Sequence, residues 1–148
     1  MTDQRISEIT DADVAEVIEL WRASGLTRPW NDPEADIAFA RSAENATILL
    51  LREPDRLAAS AMVGHDGHRG TVYYLAVAPG DRGRGLGRDM MRAAEAWLLG
   101  RGVRKLNLVV RAENEHVISF YRAIGYEVEE RTNLARWIDP DRAPASKQ

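Results

Sequence analysis

The chain has 148 residues, 45% hydrophobic and 29% charged, with no cysteine and a formal net charge of −3. That length suits one core in which folding buries roughly two-thirds of the unfolded surface without disulfide or metal staples, and the missing cysteines exclude thiolate metal sites and a cysteine nucleophile. The small acidic excess argues against nucleic acid, which asks for a wide basic face, and no apolar run approaches the roughly 18 residues of a membrane helix.

In chain order, Arg5–Glu8 is expected to form a short strand. Thr10 and Asp13 have capping-box spacing, and Val14, Val17, Ile18 and Trp21 recur at helical spacing up to Gly25. Leu26–Asn31 links this helix to a second, opened by Asp32 as N-cap and Pro33 in the first turn. Ile48–Leu51 and Ala58–His65 read as strands, and Asp66-Gly67 is a hairpin signal leading into Thr71–Val77. A helix is predicted from about Gly85 to Arg101, with Leu86, Met90, Ala94, Trp97 and Leu98 on one face and Gly102 beyond its end. Lys105–Val110 reads as a strand, Glu115–Ala123 as a helix capped by Asn114, and Tyr126–Ile138 as one or two final strands. The order β-α-α-β-β-β-α-β-α-β, with room for one more strand, implies an α/β (mixed α+β) fold. It has a single mixed sheet with helices on both faces, its central strand-helix-strand unit crossing right-handedly. One domain is expected over 1–138, with 139–148, rich in Pro, Ala, Ser and charge, as a frayed tail. The start, Met1 to Arg5, lacks the basic-then-apolar layout of a secretory signal, so the expected location is cytoplasmic.

The chemistry concentrates in Val77-Ala78-Pro79-Gly80-Asp81-Arg82-Gly83-Arg84-Gly85-Leu86-Gly87-Arg88, between a strand and an amphipathic helix. Glycines admit positive φ and close backbone approach, and the following helix N-terminus offers free N–H groups to a pyrophosphate. A Walker loop fails because Leu86-Gly87 stand where Lys and Ser/Thr are required, and a dinucleotide fingerprint fails because Arg88 replaces its last glycine. A flexible turn with solvated arginines is the alternative, weakened by the loop's position and by Pro79 at its entry. No metal-ligand pattern is present.

Arg82-x-x-Gly85-x-Gly87 resembles the Gln/Arg-x-x-Gly-x-Gly/Ala signature of the GNAT acetyltransferases. The resemblance implies that the backbone of Gly83, Arg84, Gly85, Leu86, Gly87 and Arg88 holds the pyrophosphate of acetyl-CoA, and that Leu75, Ala76 and Val77 pair with its pantetheine arm and thioester. Asn114 to Tyr126 is similar to the family's Asn…Phe-Tyr-x-x-x-Gly-Phe/Tyr segment. Asn114 and Tyr121 lie two helical turns apart, on one side. A phenol with an ordinary pKa near 10 keeps its proton at neutral pH and can protonate a departing thiolate, the role the resemblance gives Tyr121. Alternatively Asn114 only caps its helix and Tyr121 packs with Phe120, Ile124 and Tyr126 in the core.

The general base is not assigned. Val109 occupies the place where some branches carry glutamate, and His65, Asp66, His68, Tyr73 and Glu113 are alternatives, alongside a water relay. Arg28-Pro29-Trp30-Asn31-Asp32-Pro33 and Asp66-Gly67-His68-Arg69-Gly70 resemble the bacterial YpeA-type branch. Trp30, Asn31 and Tyr73 are the candidate acceptor-side residues, with Trp30 as a core plug the alternative. The function implied is direct acetyl transfer from acetyl-CoA to a primary amine through a ternary complex. The rival is a catalytically idle acyl-CoA sensor. The acceptor and the oligomeric state stay open, a homodimer among the possibilities.

Overall fold

Apolar alternation becomes a four-stranded antiparallel sheet, in the order β1-β2-β3-β4, in the computed structural model, which describes residues 3–144. The strands are β1 (Ile6–Glu8), β2 (Ala46–Glu53), β3 (Arg56–His65) and β4 (Gly70–Val77). The first three helices are α1 (Val14–Ala23), α2 (Pro33–Arg41) and α3 (Leu86–Leu99). All belong to one compact unit, Met1–Asn107; Leu108–Gln148 forms a second and contains α4 (Glu115–Ala123).

Local signals act as expected. The Asp13 carboxylate accepts the Thr10 N–H and O–H, each at 2.8 Å, in a turn of 3-10 helix that leads into α1. Asp32 accepts the Ala35 N–H at 3.2 Å, with Pro33 opening α2. Asp66 accepts the His68 and Arg69 N–H groups at 2.9 and 2.8 Å and closes the β3–β4 hairpin.

The pleat sorts the core into two layers. Ile48 and Leu50 of β2 pack with Val17, Leu20, Trp21, Ile37 and Ala40 of α1 and α2. The intervening Leu49 and Leu51 point to the other face, where α3 lies. There a Cβ on Gly70 would stand 2.5 Å from Leu98 Cδ1, so helix and strand meet where no side chain intervenes.

The pairing of β3 with β4 is interrupted once. Met62 stands opposite Tyr73 and Ser60 opposite Ala76, so Tyr74 and Leu75 share the place across from Ala61. This bulge reverses the parity of β4. Val72, paired with Val63, belongs to the α3 face, whereas Tyr74 and Ala76 pack into the α1/α2 layer.

Two expected strands are corrected. Of Lys105–Val110, only Leu106 pairs, in an isolated parallel bridge with Gly70. The Gly70 N–H donates to Lys105 O and the Asn107 N–H to Gly70 O, both at 2.9 Å. That direction agrees with the predicted parallel crossover, but a ladder needs a partner backbone at each step, and beyond Asn107 the described chain forms none. Tyr126–Ile138 likewise holds no strand. Its Val128, Leu134 and Ile138 are exposed, and the Arg131 N–H donates within the segment to Glu129 O at 2.9 Å. Alternation named which side chains would face a core without supplying that core. In 139–144 the Arg142 N–H donates to Asp139 O at 3.1 Å in a turn; the remainder of the expected tail lies outside the described residues. No helix of the described residues is long and apolar enough to cross a membrane.

Candidate functional site

β4 delivers the chain directly into the glycine loop. Ala78 N–H donates to Ala58 O at 2.8 Å as the last rung, and Pro79–Asp81 makes one turn of 3-10 helix. Gly83 and Gly85 then take φ of +82° and +79°, the left-handed region in which a side chain is strained. Nothing lies within 4 Å of a Cβ built at Gly80, Gly83 or Gly85. Among the described residues none occupies those three directions from the loop. The first bond of α3 runs from Asp89 N–H to Gly85 O at 3.1 Å, so the amides of Leu86, Gly87 and Arg88 precede it and have no helical acceptor.

A buried carboxylate fixes the loop from beneath. Asp81 is 3% exposed. It accepts Arg56 Nε at 3.0 Å, Arg56 Nη2, and Arg84 Nη1 at 2.7 Å. Arg56 first, then Arg84, hold its carboxyl below the usual carboxylate range. Arg84 Nη2 also reaches Glu53 Oε1 at 3.1 Å. Of the arginines in this loop, Arg84 is thus engaged with the scaffold. Arg82 and Arg88 are exposed, and among the described residues neither forms an ion pair.

Upstream, the bulge carries a feature the sequence did not reveal. Tyr74 has φ of +53°, the one non-glycine residue so placed among those described. Such backbone costs of order 1–3 kcal/mol and persists only when its surroundings determine it. Here the Tyr74 ring stacks on Trp21, centroids 3.9 Å apart and planes 4° from parallel. Its hydroxyl donates to Asp36 Oδ2 at 2.7 Å. Trp21 is itself fixed, its Nε1 donating to the buried Ser60 Oγ at 2.9 Å. Burial first, then the bond to Asp36, push the Tyr74 phenol well above the ordinary tyrosine range.

In the second unit, Asn114 Oδ1 accepts the Val117 N–H at 3.4 Å and caps α4. Tyr121 sits edge-on between Phe120 and Tyr126, centroids 5.0 and 5.5 Å away. The Tyr126 N–H donates to Tyr121 O at 2.9 Å, past Gly125 at φ +105°. Burial pushes the Tyr121 phenol up to about 12, so it holds its proton throughout the neutral range.

The other candidates are distributed along unit 1. Trp30 is half-buried and lies outside the α1/α2 core cluster, so it does not plug that core. The neighbouring Arg28 Nη1 folds back on Gly25 O at 2.8 Å, and Asn31 N–H donates to Arg28 O at 3.0 Å. Tyr73, 56% exposed, flanks the bulge. His65, Asp66 and His68 stand at the hairpin, roughly 17 Å of strand from Leu75, and His65 Nδ1 accepts the Gly67 N–H at 3.0 Å. In the second unit Val109 is exposed. A separate cavity of about 390 Å³ opens beside Glu8, Thr47, Trp97 and Arg101, and holds none of the expected site residues.

The acetyltransferase (GNAT) family model matches residues 14–126. An acetyltransferase of Sodalis glossinidius is 42% identical over 122 residues, which cover 82% of this chain and 86% of that one. The ribosomal-protein-S18-alanine N-acetyltransferase of Escherichia coli superposes with a TM-score of 0.70 at 28% identity, over 81% of this chain and 75% of that chain. The aminoglycoside N-acetyltransferase AAC(6')-Iy, in complex with CoA, gives 0.77 at 18% identity, over 90% and 93%. At that identity the likeness concerns the fold. The glycine loop and the α4 segment were each open to a bland structural reading alone. With a family match that runs through both, and a relative alike along most of its length, this chain belongs to the acetyltransferase (GNAT) family and is an acyltransferase.

Proposed function

We propose that the protein transfers the acetyl group of acetyl-CoA directly to a primary amine, on a small molecule or a protein, within a ternary complex. The observation that carries this reading is the row of donor amides at Leu86, Gly87 and Arg88, ahead of the first bond of α3 and beside a loop with open space over its glycines. Such a donor set fits a pyrophosphate. Gly83 to Arg88 would hold it, with Arg82 and Arg88 adding charge. Bound acetyl-CoA would supply an activated acyl thioester. The backbone of Leu75, Ala76 and Val77 would align the pantetheine arm and offer N–H groups to the thioester carbonyl. Asn114 retains its side-chain NH₂ for the same arm. The Tyr121 hydroxyl, protonated up to about pH 12, would supply the proton that the departing sulfur takes up. With no cysteine in the chain, no thiol stores the acyl group between two half-reactions.

The family match over 14–126 crosses from one compact unit into the other, which supports reading residues 1–138 as one functional domain. Two structural neighbours are named for an aminoglycoside and for an alanine of a ribosomal protein. The name of the neighbour at 28% identity supports an amine acceptor without choosing its kind.

A panel of peptides and small amines, read by release of free CoA thiol, tests the proposal. Turnover with an amine and intersecting initial-rate lines are expected. Parallel lines would contradict direct transfer. CoA binding without turnover across the panel would instead favour the sensor.

A further inference from the structure

The β3–β4 bulge, Tyr74 with Leu75, overlaps the start of the strand segment assigned above to the thioester, and its conformation is imposed from outside the strand. Tyr74 holds a left-handed backbone in a residue type that strongly avoids it. Two groups from distant parts of the chain converge on its side chain, and a third holds one of them in place. Trp21 of α1 stacks on the ring, Ser60 of β3 holds the Trp21 indole, and Asp36 of α2 accepts the phenol proton. A core tyrosine needs only the first of these. The carboxylate acceptor fixes the ring's depth, and the ring in turn fixes where the backbone turns.

We propose that Tyr74 is a positioning residue, clamped by Trp21 and Asp36, that sets the direction of the Leu75 backbone and thereby the alignment of the thioester carbonyl. The inference rests on the reading of Leu75–Val77 as the thioester strand. It also links the two sides of the reaction. Asp36 lies on α2, four residues beyond the Asp32 cap that ends the Arg28–Asp32 segment, so the helix that follows the acceptor-side loop is pinned to the strand that would carry the acyl group.

Isotope-edited infrared spectroscopy of acetyl-CoA carrying a ¹³C-labelled acetyl carbonyl, bound to the full chain, tests the clamp. Wild type should lower the carbonyl stretch on binding. Tyr74→Phe keeps the stack and loses the proton; Asp36→Ala loses the acceptor. Both should lose part of that shift and lower kcat about tenfold, measured with whichever panel amine wild type turns over, with acetyl-CoA KM nearly unchanged. Asp36→Asn retains an acceptor oxygen and should behave like wild type, and the double variant Tyr74→Phe/Asp36→Ala should be no worse than either single one. A wild-type shift retained in folded Tyr74→Phe and Asp36→Ala overturns the clamp alone. A wild-type carbonyl that does not shift overturns the thioester-strand reading and the clamp together. If Tyr74→Phe unfolds, the Asp36→Ala and Asp36→Asn pair decides by the same readout.

Discussion

Arg84 Nη1 lies 2.7 Å from Asp81 Oδ1, on a carboxylate that also takes Arg56. An arginine inside the phosphate-loop signature is therefore part of the loop's foundation, its guanidinium shared between Asp81 and Glu53. Because Arg56 and Arg84 hold the Asp81 carboxyl below its ordinary range, its contribution is complete above the unfolded carboxyl pKa of about 3.9 and is lost as pH falls through the folded value. Followed from pH 5 down to pH 2, melting temperature should fall more steeply in wild type than in Asp81→Asn once the pH drops below about 3.9, and the gap between the two curves should narrow. Curves that stay parallel would mean that the ion pairs contribute nothing to stability.

Gly87 lies in the first turn of α3, in helical backbone that does not require glycine. Gly87→Val should keep the fold and lower CoA affinity at least about tenfold, since a branched side chain would stand beside the donor amides. Calorimetry with CoA on a protein of native circular dichroism measures it. Unchanged affinity would place the cofactor elsewhere.

Tyr121→Phe keeps the edge contacts with Phe120 and Tyr126 and removes the proton. A fall in kcat of about 100-fold, in the range of general-acid contributions, is expected with acetyl-CoA binding nearly unchanged. Since burial pushes this phenol up to about 12, its ionisation should add no falling limb to the wild-type kcat profile below about pH 11. A limb near pH 8 that disappears in the variant would show a different titration and a different role.

Trp30 stands outside the α1/α2 core cluster, which favours the acceptor-side reading. Trp30→Ala should lower kcat/KM for the amine about tenfold while acetyl-CoA affinity and melting temperature stay near wild type. A large drop in melting temperature with unaltered acceptor kinetics would return Trp30 to a packing role.

Gly70→Ala introduces a Cβ 2.5 Å from Leu98 Cδ1. Forcing α3 away from β4 should cost about 1–3 kcal/mol of stability in urea unfolding. An unchanged midpoint would mean that Leu98 turns aside freely.

What was legible in the sequence was what is local. The Asp32 and Asn114 caps, the Asp66-Gly67 hairpin and the left-handed glycines at Gly83 and Gly85 each depend on a few adjacent residues, and each stands where the sequence placed it. The Tyr74 clamp was invisible because its parts read as ordinary in isolation: Trp21 as a helix core position, Asp36 as a first-turn acid, Tyr74 as one residue of a strand. The engagement of Arg84 was hidden in the same way, by the distance in sequence to Glu53. Lys105–Val110 erred in the opposite direction. Its alternation is genuine, but pairing is a property of two segments, and only Leu106 meets a partner.

The surplus residue in β4 gives this strand a sensitivity that ordinary substitution would not expose. Val72 and Ala76 differ by an even number of positions yet lie on opposite faces, so the strand's inside and outside are set by a count. Removing one of the two residues that share the place across from Ala61 would restore plain alternation and leave Ala76 opposite Ser60 in its own layer, whereas removing two would send Ala76 and Ala78 to the wrong layer and turn the start of the glycine loop over with them. Between Val72 and Val77 the loss of one residue should therefore be tolerated and the loss of two rejected, the reverse of what an unbulged strand shows, and a deletion scan would display that odd-even rhythm directly.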